Sequence, residues 1–190
     1  MKRILLWILC LLATLTAAAQ EDERAALSRD AAARLGQQLS ATLLAALEAG
    51  GPVESIGICN VEASPIAARL SAQTGASVGR TALRLRNPDN APDAGARDAM
   101  AAFERDLAAG ATEPPEHFET RSDGSARYMR AIVTQPLCVN CHGSEIPPQV
   151  AAAVSEHYPA DRATGFAVGD LRGAFIIEWP APHQSIPNAP

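Results

Sequence analysis

The sequence predicts an α+β domain built around a single antiparallel sheet. Two patterns support this fold class. Alanine- and leucine-rich segments with helical spacing fill most of the first half, and short alternating segments separated by turn residues fill most of the second. We predict a leader at residues 1–19, a single domain at residues 20–180 and a disordered proline-rich tail at residues 181–190. Without the leader, 171 of the 190 residues remain, which suits one domain with a hydrophobic core.

The leader is typical of a secretory signal peptide. Lys2 and Arg3 precede an apolar run at residues 4–15, and three alanines ending at Ala19 suit cleavage there. The alternative is a retained anchor helix, but the apolar run is shorter than the ~20 residues that a membrane-spanning helix needs. We therefore expect export to the periplasm and no stable membrane span after cleavage.

Helix-breaking residues divide the start of the domain into three predicted helices. Residues 21–48 carry leucines at helical spacing, and a glycine pair at 50–51 ends this amphipathic helix. Pro52 begins a short second helix. The serine–proline pair at 64–65 opens a third helix, with a serine cap and a proline in its first position, and Gly75 ends it.

The remaining chain is predicted to form two more helices and four strands. The helices cover residues 93–109 and 148–157. Alternation and β-branched residues predict strands at residues 78–86, 117–121, 127–134 and 171–179. The segment Ser-Asp-Gly-Ser at 122–125 separates two of these strands and indicates a hairpin.

The predicted mature chain is acidic. Loss of Lys2 and Arg3 leaves 14 basic residues, all arginine, against 21 acidic ones, so the net charge becomes −7. This charge argues against nucleic acid or an anionic membrane surface as a partner, and lysine is removed from the candidate metal ligands. The sequence has no recognisable Ser-His-Asp signature, phosphate-binding glycine loop or paired-carboxylate site, so we predict a protein that is not an enzyme.

Residues 138–142 carry the sequence C-x-x-C-H, which is typical of covalent c-type haem attachment. Two thiols at this spacing add to the vinyl groups on one porphyrin edge, and the next histidine ligates the iron. We therefore predict one haem c attached at Cys138 and Cys141, with His142 as an axial ligand. The alternatives are half of a zinc site or a thioredoxin-like redox pair. They are less favoured, because no second ligand pair appears and a proline and a glycine frame the segment as a loop.

Cys59 is the cysteine of the predicted mature chain that the motif leaves over. A free thiol in an oxidising compartment is a liability unless it is hidden or used. Cys59 shares an apolar helical stripe with Ile56 and Ala63, so it is either a buried structural cysteine or, as a thiolate, the second axial ligand. Weaker ligand candidates, on core stripes or near acidic, proline or tail residues, are Met100, Met129, His117, His157 and His183.

Three arginines share one face of the predicted strand at residues 78–86. Arg80, Arg84 and Arg86 lie opposite a mostly apolar face. They form either a solvated strand face or contacts to the two negatively charged haem propionates, which suit guanidinium groups. The residues alone leave both interpretations open.

The chain resembles a family of exported, PAS-like c-type haem proteins. That family includes a small cyanobacterial protein found with photosystem preparations and the sensory portions of some bacterial histidine kinases. The resemblance spans nearly the whole predicted mature chain. The segments that carry it are ICNV at 58–61, RTALRLRNPDNAP at 80–92, CVNCHG at 138–143, the pattern YPxDxAxGF at 158–166 and GDLRG at 169–173. The second and last of these are more specific than C-x-x-C-H. Residues 94–99 depart from the family pattern by being small and rich in alanine.

The resemblance implies a PAS-like fold, with an antiparallel sheet of about five strands flanked by helices and one covalently bound haem. It also implies that His142 and Cys59 are the two axial ligands of the iron. Such a pair fills both axial positions, and an electron-rich thiolate stabilises ferric iron, so the reduction potential should be low. We expect a sensor of redox state or of a gas such as CO or NO. The alternative is a small electron-transfer cytochrome, and either role needs a separate redox or signalling protein partner.

Overall fold

The computed structural model describes the backbone of residues 2–182 and the side chains of residues 20–182. The described residues do not include the side chains of the predicted leader. They also exclude the predicted tail beyond residue 182, which contains His183. In chain order the elements are α1 (Lys2–Thr74), β1 (Ser77–Thr81), a 3-10 turn (Pro88–Asn90), α2 (Ala94–Ala108), β2 (Glu116–Thr120), β3 (Ala126–Val133), α3 (Val139–His142), α4 (Pro148–His157) and β4 (Leu171–Trp179). In the part of the chain so described, no helix combines the length and apolarity that crossing a bilayer requires.

Helix α1 is broken once, at Gly51, whose φ of 73° and ψ of −172° are not helical. Glycine tolerates positive φ because it has no Cβ, so the predicted break at the glycine pair is confirmed, and Pro52 follows it as predicted. The predicted start of a third helix is wrong, because α1 continues through Pro65. Pro65 removes one backbone donor, so the carbonyl of Val61 loses its helical partner, and Val61 is 67% exposed. The helix also begins earlier than the predicted residue 21.

The four strands form one antiparallel sheet in the order β1-β4-β3-β2. The α+β class is therefore confirmed. The described residues contain the four strands that alternation predicts, rather than the five that the resemblance implies. β2 and β3 form the predicted hairpin, and Gly124 occupies its turn with a φ of 79°, which a side chain would strain.

Strand β1 is shorter than predicted, because it ends at Thr81. A close approach of β4 marks this end: a Cβ added to Gly173 would lie 2.5 Å from the Thr81 carbonyl oxygen. Beyond this point the chain is irregular and the alternation stops. The prediction that Arg80, Arg84 and Arg86 share a strand face is therefore wrong, since only Arg80 lies on the strand.

Helices cover both faces of the sheet. On one face, α1 packs against the strands through the buried residues Ala31, Ala32, Leu35, Ile66, Leu70, Ala76, Val78, Tyr128 and Ile177. On the other face, α2 does so through Ala96, Met100, Phe103, Met129, Ala131, Leu171 and Ala174. Met100 and Met129 are fully buried in this second cluster, which gives both a packing role. A third cluster joins the part of α1 after Gly51 to α4, and this brings Cys59 toward the C-terminal half of the chain.

Candidate functional site

The C-x-x-C-H segment forms a single helical turn rather than the predicted loop. Cys138 caps the turn, and its carbonyl oxygen accepts hydrogen bonds from the backbone N–H groups of Cys141 and His142 at 3.2 and 2.9 Å. The Gly143 N–H closes the turn on the Val139 carbonyl at 2.9 Å. A Cβ at Gly143 would lie 2.6 Å from that same oxygen, so the turn requires glycine there. This turn sets the two thiols and the imidazole at one end of the sheet.

The imidazole of His142 is held in one orientation. Its Nδ1 lies 2.7 Å from the Ala163 carbonyl oxygen, which can only accept, so Nδ1 carries the hydrogen and Nε2 keeps a lone pair. Burial, followed by the positive charges of Arg172 and Arg86, lowers the pKa of His142 to about 3. A neutral imidazole with a fixed Nδ1–H and an available Nε2 is the form in which histidine binds a metal.

Three hydrogen bonds join His142 and the adjacent Gly143 to residues 163–166. Besides the ring contact, the Phe166 N–H donates to the His142 carbonyl at 2.9 Å, and the Gly165 N–H donates to the Gly143 carbonyl at 2.8 Å. The Phe166 ring lies edge-on to the imidazole, with the ring centroids 6.3 Å apart. The motif histidine is thus anchored by both backbone and side chain.

An ion pair supports the same turn from the other side. Arg86 Nη2 donates to the Cys141 carbonyl oxygen at 2.6 Å, and Arg86 Nε lies 3.1 Å from Asp161 Oδ1. The Asp161 carboxylate also accepts from the Ala163 N–H at 3.0 Å. Because Ala163 in turn holds the His142 ring, Arg86 and Asp161 connect the second attachment cysteine to the support of the histidine.

A cavity of about 320 Å³ opens between α1, the end of the sheet and the motif turn. This volume lies within the usual range for small-molecule sites. Apolar side chains form much of its wall: Leu39, Leu43, Leu47, Ile56, Leu85, Ile132, Leu137 and Phe175. Of the seven predicted site residues, the structure brings six to this cavity: Cys59, Arg80, Arg86, Cys138, Cys141 and His142.

Cys59 reaches the cavity from α1, while the other sulfur and nitrogen donors come from the motif turn. It is half-buried, which is less than a structural core cysteine would require. Burial raises the pKa of its thiol, and the nearby charges of Arg80 and Arg86 oppose that rise.

Arg84 is the predicted site residue that does not line the cavity. Its guanidinium lies over the Phe166 ring, 3.5 Å from the centroid, and Nη1 donates to the Thr164 carbonyl at 2.8 Å. Its charge thus supports the segment that anchors His142, and the propionate contact of Arg84 stays a prediction. The cause of its position is the early end of β1, which turns Arg84 away from the direction of Arg80.

Arg172 lines the cavity and was not among the predicted site residues. Burial, followed by the charges of Arg86 and Arg80, lowers its pKa to about 10. Its Nε is buried and has no hydrogen-bond partner within residues 20–182. The sequence signal for Arg172 is the GDLRG segment of the resemblance, which contains it. Apolar alternation predicts β4, and an arginine within such a pattern is expected to lie on the surface.

The weaker histidine candidates lie away from the cavity. His117 is exposed beside Glu119, with 3.6 Å between His117 Nε2 and the carboxylate. The His157 ring packs on Gly57, where an added Cβ would lie 3.1 Å from Nε2. Across the described side chains there is no group of three or more His, Cys, Asp or Glu residues placed to hold a metal ion on its own.

The residues of the cavity fit the haem predicted from the motif. They supply two thiols at attachment spacing, an imidazole nitrogen, a third sulfur and apolar walls for a porphyrin. The buried Nε of Arg172 without a partner is unusual for a native structure, and an anionic group of a ligand would satisfy it.

The family model described as Tll0287-like (Tll0287) matches residues 13–180 of the chain. Among solved structures, the crystal structure of the cyanobacterial heme-protein Tll0287 is similar to it. The two chains are 30% identical with a TM-score of 0.57, and the alignment covers 92% of this chain and 96% of the other. No curated protein matches the sequence.

Proposed function

This chain belongs to the Tll0287-like family, and from that premise we propose that it is an exported monohaem protein that senses redox state or a gas such as CO or NO. The haem would be attached covalently to Cys138 and Cys141, with His142 and Cys59 as axial ligands. The family predicted from the sequence segments is confirmed by the family match and the structural match. The PAS-like character of the fold, the periplasmic location and the ligand pair are parts of the proposal.

The observation that carries the proposal is the unequal anchoring of the two ligand candidates. His142 is tied to residues 163–166 through its ring and its carbonyl, and its turn is braced by Arg86. Cys59 Sγ makes no hydrogen bond within the part of the chain that the structure describes, and it stands on a different element. A fixed nitrogen opposite a loosely held sulfur suits a site in which one ligand stays and the other leaves.

The chain's own residues have distinct tasks in this proposal. When bound, haem supplies an iron centre that changes oxidation state and exchanges an axial ligand. His142 offers Nε2 because Ala163 holds the hydrogen on Nδ1. The leucines of α1 exclude water from one wall of the cavity, which strengthens electrostatic interactions inside it. The role is one of binding and signalling through a separate protein partner, and we assign no catalytic reaction.

Low-potential electron transfer is the alternative function, and one observation favours it. The bracing of the motif turn by Arg86 and Asp161, together with the anchoring of His142, makes the histidine side rigid. A rigid ligand environment suits an electron carrier, which changes little between its two oxidation states. The two functions therefore differ in whether Cys59 leaves the iron.

The ligand assignment is tested by absorption and EPR spectra of the exported protein beside Cys59→Ala. We expect low-spin spectra with thiolate character for the natural protein and their loss in Cys59→Ala. Ser55→Ala is the matched control, since Ser55 lines the same cavity one helical turn earlier and is expected to leave the spectra unchanged. An unchanged Cys59→Ala spectrum would remove Cys59 from the iron, and a colourless denatured chain with free thiols at Cys138 and Cys141 would remove covalent haem.

Sensing and electron transfer are separated by redox potentiometry with and without CO. Uptake of CO on reduction, with loss of the thiolate signature, is the result expected of a sensor. Fast reversible cycling that CO does not alter would contradict the sensor and favour the electron carrier.

A further inference from the structure

We infer that Arg80 and Arg172 together form the anion-binding part of the cavity and hold the two carboxylates of a bound haem. This inference rests on the proposed function and deepens it, because it assigns the side chains that recognise the ligand's charged groups. It replaces the set of three arginines that sequence alternation indicates.

Two of those three arginines are already engaged by the protein. Arg86 is paired with Asp161 and donates to the Cys141 carbonyl. Arg84 is stacked on Phe166 and donates to a backbone carbonyl. Their guanidinium groups act on the support of the motif turn, and Arg84 does not face the cavity at all. Neither is left to bind a dianionic ligand.

Arg172 is held less closely by the protein, because its guanidinium carbon lies 5.3 Å from the Phe166 ring centroid, against 3.5 Å for Arg84. It lines the cavity, and it makes one backbone hydrogen bond, from Nη1 to the Arg84 carbonyl at 3.3 Å. Its Nε is buried without an acceptor, which leaves a charged donor desolvated and unsatisfied within the described chain. A buried guanidinium in this state is expected to have an anionic partner, because a fork of donors matches a carboxylate in geometry and charge.

Arg80 faces the same space from β1. It is half-buried, it lines the cavity, and among residues 20–182 its guanidinium has neither an ion pair nor a side-chain hydrogen bond. The charged or titratable groups that act on it are Tyr158 and Cys59, and neither is a carboxylate.

The charge balance of the cavity wall also calls for an anion. Arg80, Arg86 and Arg172 all line it, and among these three Asp161 forms an ion pair with Arg86 alone. Glu62 is the carboxylate on the wall, and it is exposed and forms no ion pair with these arginines. Two like charges therefore face the same cavity without an ion-pair partner, and a ligand that carries two carboxylates would compensate both.

The test is resonance Raman spectroscopy of the holoprotein, in which the propionate bending modes report hydrogen bonding to the carboxylates. We expect Arg80→Gln and Arg172→Gln each to shift a propionate band to lower frequency. Both variants should also lower the midpoint potential, because loss of a positive charge disfavours the reduced state. Arg105→Gln is the matched control, because Arg105 is exposed on α2 and does not line the cavity, so bands and potential should stay unchanged. If Arg172→Gln does not accumulate, Arg172→Lys, which keeps the charge but loses the fork, should give a smaller shift of the same band.

The outcomes separate this inference from the function on which it rests. Normal low-spin spectra with propionate bands that do not respond to Arg80 or Arg172 would overturn the anion site alone. Equal shifts in Arg105→Gln would overturn it too, because they would reflect a general effect of losing a positive charge. A natural protein without haem would overturn the proposed function first.

Discussion

Removing the charge of Asp161 is expected to be among the most damaging conservative changes in the chain. The Arg86 and Asp161 side chains are only 12% and 9% exposed, and their atoms Nε and Oδ1 are 3.1 Å apart. Asp161→Asn keeps the shape and an oxygen that can accept from the Ala163 N–H, but it leaves the buried Arg86 without a counter-charge. Unlike an exposed pair, this pair is shielded from solvent, so screening reduces its energy little.

The expected loss follows from the burial of the pair. Breaking a buried ion pair by removing one partner costs about 3–5 kcal/mol. Because the asparagine retains one hydrogen bond, we expect the lower end, about 3 kcal/mol of unfolding free energy. For a domain of this size each kcal/mol lowers Tm by roughly 2–4 °C, so Tm should fall by roughly 6–12 °C.

The assay is thermal unfolding of the exported protein, followed by far-UV circular dichroism. Glu119→Gln is the matched control, since it removes the charge of an exposed pair with Arg121, 3.6 Å apart and with side chains 41% and 36% exposed. Such pairs contribute about 1 kcal/mol or less. Equal Tm values for Asp161→Asn and Glu119→Gln would refute the reasoning, because the Arg86–Asp161 pair would then contribute no more than a surface contact.

Two further predictions concern the sheet. Gly173→Ala should destabilise the protein by roughly 1–3 kcal/mol in urea unfolding, because its Cβ would lie 2.5 Å from the Thr81 carbonyl oxygen. Gly79→Ala is the control, and little loss is expected there because the nearest atom to its Cβ is 3.9 Å away. Similar urea midpoints for both variants would contradict this prediction. The Arg127 guanidinium holds the pKa of Asp93 at about 2, so this carboxylate contributes stability above the unfolded pKa that is lost as the pH falls through 2. The Asp93 side chain is 59% exposed, so Asp93→Asn should lower the free energy of unfolding at pH 7 by only about 1 kcal/mol. This loss should shrink as the pH falls from 4 toward 2, and a loss that does not change with pH would exclude the linkage.

Patterns within a few residues determined much of this protein. The α+β class, the hairpin, the break at the glycine pair and the four strand positions follow from helical spacing, alternation and turn residues. The C-x-x-C-H segment indicated which part of the chain carries the site, and cysteine counting singled out Cys59. These features are readable because the hydrogen bonds and side-chain directions behind them join residues that are close in sequence.

The tertiary structure decided how these parts meet. Cys59 and the motif come to one cavity because the part of α1 after Gly51 packs on α4. The arginines were separated by the approach of Gly173 to Thr81, which ends β1 and directs Arg84 to Phe166. Arg172 lines the cavity because its strand, β4, pairs with β1 although the two strands are distant in sequence. Such contacts depend on how the sheet and the helices pack against each other, and the spacing of residues within a single segment does not determine that packing.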